Sequence, residues 1–339
     1  MTEPALTLDD LRLLTATAGA APSLHNSQPW RFRPAPGLRA IRVYGDEQRA
    51  VPVTDPFGRA LHISVGAAVF NLRVAAGRLG RDAQVRLLPD SADPHLLAEI
   101  DLSQPAPRHP FGHRLYPAIQ QRHSSRQPFA NRDVPETVLG ELIAAAREEG
   151  TTLTLLEEAA VRRVLNVTAE AEQRIATDLA KVAETRSWLR VEEPATDGIP
   201  AAALGPQDPD TRVPMRTFTP DPRTTPAMAP QRFEALPQLC TLATPADRPA
   251  DWLRTGQALE HVWLLATVHG LRLSVLHQAV EYADTRWHLR DPEDTPEHVQ
   301  LVLRLGYGPP GVATPRRPVE EILDLTDYQG GAGEGESSC

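Results

Sequence analysis

"GAAVFNLRVAAGRLG", residues 66–80, and "GQALEHVWLLATVHG", residues 256–270, both begin and end on glycine at the same separation. Between the glycines Ala68 matches Ala258, Val69 Leu259, Leu72 Val262, Val74 Leu264 and Ala76 Ala266. Helical spacing of apolar residues alone would force some of these matches. The order of elements before each copy adds independent weight. A helix at 8–20 precedes the first copy as a helix at 135–148 precedes the second, and "ALTLDDLRLLTATAGAAPS" then lies over "DVPETVLGELIAAAREEG". The chain reads as two related halves fused head to tail.

Local signals fill in the rest. Thr7 is a plausible N-cap for the first helix, with Asp10 three residues on, and Pro22 ends it. Residues 30–33 and 39–44 read as strands, 60–79 as an apolar helix stopped by Gly80, and VRLL and LAEIDL as further strands. A helix at 113–121, a strand TLTLL, a largely helical 157–190, a strand near 238–243, a helix at 251–269 and a strand at 298–305 follow. The halves divide as 1–108 and 109–330, with 331–339 a disordered tail. From 194 to 237 the pattern dissolves into Pro, Gly, Asp and Thr. A stretch of this length is a lid or a solvent loop; Met215, Phe218, Met228 and Phe233 favour a lid that packs on something.

Composition bounds the function. With 339 residues, 41% hydrophobic and 23% charged, the chain is globular and large enough for two cores. A net charge of −9 disfavours nucleic acid and anionic membranes as partners. No apolar run approaches the ~20 residues that span a bilayer, and MTEPALTLDD lacks the basic and apolar regions of a signal peptide. Two cysteines, Cys240 and Cys339, make no disulfide framework, so a cytoplasmic location is expected.

Two segments are chemically dense. "APSLHNSQPW", 21–30, sets neutral hydrogen-bonding groups where a helix stops, and Pro22 and Pro29 fix φ and hold the turn open. Trp30 and Phe32 read as core anchors of the next strand. "RHSSRQPF", 122–129, alternates Arg122, Ser124 and Arg126. Two guanidinium groups with hydroxyls between them suit a phosphate dianion, although a solvated basic turn has the same composition. Other patterns fail on context. "GYGPPG" has no surrounding βαβ unit for a dinucleotide, and "HPFGH" cannot align two histidines on one helix face, so no metal site is expected.

Together these two segments resemble the nitroreductase superfamily of flavin enzymes. There an Arg-x-Ser-x-Arg segment holds the FMN phosphate, and a Pro-Ser-Ser-x-Asn-x-Gln-Pro-Trp turn reaches the flavin from the other subunit of a homodimer. "GLRLSVLHQAVE" lies where the family places a backbone turn beside the ring, and "LRLGYGPPGVATPRRPVEEIL" looks like its closing strand and phosphate-side segment. The resemblance runs from about residue 5 to about 325. It implies an α+β nitroreductase-like fold with a mixed, mostly antiparallel sheet in each half. It implies one FMN per chain held by Arg122, His123 (through its backbone), Ser124 and Arg126, with Arg316 or Arg317 completing the cage. Pro22, Ser23, Leu24, Asn26 and Gln28 come from the turn, and His277 and Gln278 sit near the flavin N5 edge.

The first half keeps the turn and lacks the arginines, whereas the second keeps the arginines and has "AAREEG" for the turn. Each half has lost what the other retained, which leaves one complete site in an intramolecular pseudo-dimer. Asn71, in the half whose site has decayed, is expected to be structural. The layout is similar to the Acg-type branch known from actinobacteria. It implies ping-pong hydride transfer from NAD(P)H through FMN N5 to a small organic acceptor, with no side chain as catalytic acid or base. The alternative is an FMN-sequestering protein whose lid closes the site to turnover; a weaker third is a specialised oxidation of a secondary metabolite. A monomer is the default, with a homodimer as the alternative.

Overall fold

The computed structural model describes residues 3–106, 111, 113–191, 194–218, 228–290 and 297–326. The expected tail, 331–339, lies outside the described residues, as does part of the Pro-rich stretch.

The first half runs α1 (Leu8–Gly19), β1 (Trp30–Pro34), β2 (Ala40–Gly45), α2 (Arg59–Arg78), β3 (Arg81–Leu87) and β4 (Leu96–Pro105). A short α3 (Leu115–Gln121) leads to α4 (Glu136–Glu148) and β5 (Thr152–Leu155). Then come α5 (Glu158–Thr177), α6 (Leu179–Ser187) and a short parallel pair, β6 (Leu189–Arg190) with β7 (Ile199–Pro200). The second half closes with β8 (Gln238–Thr244), α7 (Pro249–Val268), β9 (Arg272–Val275), α8 (Ala283–Trp287), β10 (His298–Gly306) and α9 (Val319–Ile322).

Both four-stranded sheets are antiparallel throughout, in the orders β1-β2-β4-β3 and β5-β8-β10-β9. Ranked in chain order within its own sheet, each is ordered first, second, fourth, third. With α5 to β7 set aside as an insertion, α4 to β9 repeats α1 to β3 element for element. This shared order is the topological counterpart of the sequence repeat.

The repeated glycines have two separate jobs. The first of each pair is where α2 crosses α7: a Cβ on Gly66 would lie 2.2 Å from the Leu253 carbonyl oxygen, and one on Gly256 2.0 Å from that of Ile63. Only hydrogen fits between the backbones at that point. The second of each pair, Gly80 and Gly270, follows its helix at φ +72° and +74°, the left-handed region that glycine adopts without strain. The α1 cap forms as expected: Thr7 Oγ1 accepts from Asp10 N at 3.1 Å and Asp10 Oδ2 accepts from Thr7 N at 2.9 Å.

The segment 157–190 is largely helical, as two helices: Asp178 leaves the first (ψ 102°) and its carboxylate accepts from Ala180 N and Lys181 N to start α6. Two expectations need correction. Residues Arg59–Arg78 do reach the length and mean hydropathy of a membrane-crossing helix, but 83% of that window is buried within the molecule, as befits the central helix of a fold. The Pro-rich stretch is also not uniformly irregular, since β7 and a 3-10 turn at Ala201–Ala203 lie within it. At the far end the chain returns to the first half. Asp324 N donates to Phe32 O at 2.8 Å, and Ile322 and Leu323 join the core beneath the first sheet.

Candidate functional site

Two contiguous cavities open between the halves, one of about 910 Å³ and one of about 470 Å³, each including its open mouth. Both are bordered by Pro22, Ser23, His25, Ser124, Arg126 and Ile199. The turn after α1 and the arginine turn before α4 therefore meet, although about a hundred residues separate them.

The 21–30 turn is tightly specified. His25, Asn26 and Gln28 have φ of 54°, 55° and 53°, a conformation uncommon for residues with a Cβ. Ser23 Oγ accepts from Gln28 N at 2.9 Å and closes the turn. Asn26 donates to the Gly198 and Pro315 carbonyls at 2.9 and 3.0 Å, while its Oδ1 accepts from Arg316 at 2.9 Å. Gln28 donates to Thr196 O at 2.9 Å and accepts from Arg317 N at 2.8 Å. Such ties over-determine the strained backbone.

They also place the residues that the sequence singled out. Gln28 borders neither cavity, and its amide holds scaffold together. Asn26 borders the smaller cavity with its amide already committed. Arg317 turns away toward Asp46 and Glu321, so Arg316 is the arginine at the cavity. Pro22, Ser23 and Leu24 line the larger cavity. Trp30 and Phe32 are fully buried in the core.

The smaller cavity is an arginine end. Arg122, Arg126 and Arg316 border it with His123 and Ser124. Arg126 donates to Ala203 O at 2.7 Å, and Arg316 to Thr314 Oγ1 at 2.6 Å and Ala20 O at 3.1 Å. Burial pulls Arg126 down to about 10 and Arg316 to about 9, and lowers Arg122 as well. All three remain charged at neutral pH. Behind them Glu260 of α7 is completely buried, 3.3 Å from Arg122 Nε. Asn71 of α2 lies close enough to favour its ionised form, yet neither side chain reaches hydrogen-bond geometry among the described residues. The "GYGPPG" glycines serve this end sterically: a Cβ on Gly311 would lie 2.0 Å from the Ser124 carbonyl oxygen. The arginine turn is aligned by a bridge between Ser124 and Leu273, with Ser125 N donating to Leu273 O at 3.0 Å.

The larger cavity is mainly apolar. Ile63, Leu259, Trp263 and Leu301 line it, with Ser274, His277 and Gln278 along one side. Burial holds His25 and His277 well below the usual imidazole range, so both are neutral, and neither ring nitrogen of His25 has a hydrogen-bond partner among the described residues. Met215 and Phe218 of the Pro-rich stretch line this cavity, whereas Phe233 packs against Arg304 and Met228 is exposed. The sequence reading did not single out Arg216, Trp263 or Glu260. Glu260 did have a signal, being a carboxylate on the face of α7 that packs against α2.

The "AAREEG" segment meets side chains of α2 and α7. Glu149, in "AAREEG", accepts from Arg73 at 2.5 Å and lies 3.3 Å from His261 Nδ1. Phe70 stacks on His261 with centroids 4.6 Å apart, and Phe111 meets it edge-on. No metal-binding group of three or more His, Cys, Asp or Glu occurs among the described residues.

The Nitroreductase family model matches residues 119–307. The chain is 30% identical over 335 residues to "Putative NAD(P)H nitroreductase acg" of Mycobacterium tuberculosis (strain H37Rv), covering 96% of this chain and 98% of that protein. It is 29% identical over 326 residues to "Putative NAD(P)H nitroreductase Rv3131" of the same strain, covering 93% and 91%. Among solved structures, the FMN and NADPH-dependent nitroreductase NfnB from sphigopyxis sp. strain HMH is 17% identical, covering 64% of this chain and 99% of that one, at a TM-score of 0.40. That score is too low to bear on the site. The family match and the near full-length similarity to acg decide the matter: the chain belongs to the Nitroreductase family and is of the Acg type.

Proposed function

We propose that the chain binds one FMN between its two halves and acts as a nitroreductase-like oxidoreductase, passing reducing equivalents from NAD(P)H to a small organic acceptor. The observation that carries this reading is the cluster of Arg122, Arg126 and Arg316 at one end of an otherwise apolar cavity. One buried guanidinium, Arg122, and two half-buried ones, Arg126 and Arg316, face one space that no Asp or Glu borders among the described residues, an arrangement that a bound dianion relieves. Arg122 Nε and Arg316 Nε are without hydrogen-bond partners among the described residues. A phosphate fits this donor set, and the apolar end suits a flat aromatic ring.

FMN bound there supplies hydride transfer at its N5. The chain supplies position and environment. Arg122, Arg126, Arg316 and Ser124 hold the phosphate, with His123 presenting backbone. Pro22, Ser23 and Leu24 border the ring from the first half, and His277 and Gln278 from the second. Ile63, Leu259, Met215 and Phe218 exclude water. Two halves, 1–108 and 109–330, form an intramolecular pseudo-dimer with one working site, and the Glu149–Arg73–His261 cluster fills the other. A monomer follows as the default, with a homodimer as the alternative.

The second reading, FMN sequestration with little turnover, is favoured by one observation. Two residues of the Pro-rich stretch are tied to the second-half wall of the cavity: Gln278 donates to Pro214 O at 3.1 Å, and Arg216 pairs with Glu281. Adding NADPH without oxygen to the purified protein separates the readings. Rapid bleaching of a yellow protein supports the reductase, and persistent colour supports sequestration. A colourless protein that FMN cannot reconstitute overturns both. Arg126→Ala and Arg316→Ala should each weaken FMN by about 1.5–3 kcal/mol, the contribution of a charged hydrogen bond. Unchanged affinity in both would show the phosphate lies elsewhere.

A further inference from the structure

No Asp or Glu borders either cavity among the described residues. Glu260 lies directly behind the arginine end, on the α7 face that places Leu259 and Trp263 in the larger cavity. Its carboxylate is fully buried, its oxygens make no hydrogen bond among the described residues, and Arg122 Nε is 3.3 Å away. The Arg122 guanidinium is meanwhile fixed over the Trp263 ring, 4.7 Å from its centroid. The groups facing Glu260 are Arg122 from the end of α3, Asn71 from α2 and Arg316 from the C-terminal segment. On its own helix, the next residue, His261, is turned to Glu149 and Phe70.

One cation thus serves two anions. With the site empty, Glu260 is the counter-charge of Arg122. A dianion bound on the other side of the same guanidinium shares that cation and repels the buried carboxylate. Solvent cannot screen the repulsion, so the cheapest relief is to neutralise the carboxyl group.

We propose that Glu260 is a positioning residue that stands in for the phosphate at Arg122, ionised while the site is empty and protonated when a dianionic phosphate binds. This rests on the reading that the arginine end holds the FMN phosphate. The proton comes from solvent and goes to a Glu260 carboxyl oxygen; no electrons move. Burial already pushes this carboxyl up to about 7 against the pull of Arg122, Asn71 and Arg316, so the exchange falls in the neutral range. Phosphate monoesters have their second ionisation near about 6, so above neutral pH the ligand itself exchanges little.

The test is calorimetric titration of the flavin-free full chain with FMN at pH 7.5, in buffers of different ionisation enthalpy. Wild type should take up a large fraction of one proton per FMN bound. Its affinity should fall toward tenfold per pH unit on the alkaline side of pH 7.5. Glu260→Gln should abolish the uptake and flatten that profile. His123 also borders the arginine end, and His123→Asn should leave the uptake intact. Riboflavin, which lacks the phosphate, should bind without uptake. The proposal is overturned if wild type takes up no proton, if riboflavin takes up as much as FMN, or if Glu260→Gln keeps the uptake. Should Glu260→Gln not fold, the wild-type and riboflavin measurements still decide. Failure of wild type to bind FMN at all would instead remove the phosphate-site reading, and this inference with it.

Discussion

Arg304 of β10 shows how single residues hold the site's frame in place. It is fully buried, donates to both Glu234 oxygens at 2.6 and 2.7 Å, and lies 3.8 Å over the Phe129 ring. Glu234 also accepts from Phe129 N at 3.0 Å. One ion pair thereby joins the end of the Pro-rich stretch, the segment after the arginine turn and the second sheet. Glu234→Ala would leave Arg304 charged and unpaired in the interior, a loss of about 3–5 kcal/mol for a buried pair. Urea denaturation should show a midpoint lowered accordingly; a change below about 1 kcal/mol, the value of an exposed pair, would mean that water reaches Arg304. At this scale the sequence was readable where chemistry is local. Arg122, Ser124 and Arg126 stand out by spacing, and all three border the smaller cavity. Gln28, Asn26 and Arg317 did not, because their partners, Thr196, Gly198 and one another, are distant in sequence. A side chain's type says that it needs a partner and not which one it takes.

Among the elements, α2 and α7 carry the architecture. Each is nearly buried on all sides, which is why α2 mimics a membrane span by composition. Their repeat was legible because both helices must present a glycine at the same crossing. The insertion was less legible: prolines mark where regular structure stops and leave open which residues pack, so Met215 and Phe218 reach the cavity while Met228 does not. The two classes of glycine give a paired prediction. Gly256→Ala drives a methyl group to 2.0 Å from the Ile63 carbonyl oxygen, where backbone must move. It should cost at least the upper part of the 1–3 kcal/mol typical of overpacking. Gly80→Ala meets nothing within 4 Å and carries only the strain of φ +72°, about 1 kcal/mol. Thermal melts of the two variants check the order. Equal losses would mean that α2 and α7 do not cross at these glycines.

At the scale of the whole molecule, one strand order carries two unequal sets of side chains. The two sheets share one strand order, and α2 and α7 pack against each other between them. A faithful duplication would offer two equivalent cavities. Only one place has the arginine turn opposite the 21–30 turn. At the other, Phe70 stands where the repeat puts Glu260, and Arg73 where it puts Trp263. Arg73 is paired with Glu149 and lies over Phe70 and Phe111, 5.2 and 5.3 Å from their centroids. A cation already neutralised and stacked between rings has little to offer a phosphate. Titration of the flavin-free chain should therefore end at one FMN per chain, with a single phase. Arg73→Ala should leave that endpoint at one and lower stability instead, since it strands the buried Glu149 carboxylate, whose pKa is held below the usual range by His261 and Arg73 against burial. A group depressed in this way stabilises the fold above its unfolded pKa and loses that contribution as pH falls through the folded one. The stability difference between wild type and Arg73→Ala should accordingly be full at pH 7 and shrink below about pH 4. An endpoint of two FMN per chain in wild type would show that the filled half still binds, and the complementary-loss account of the fold would fail.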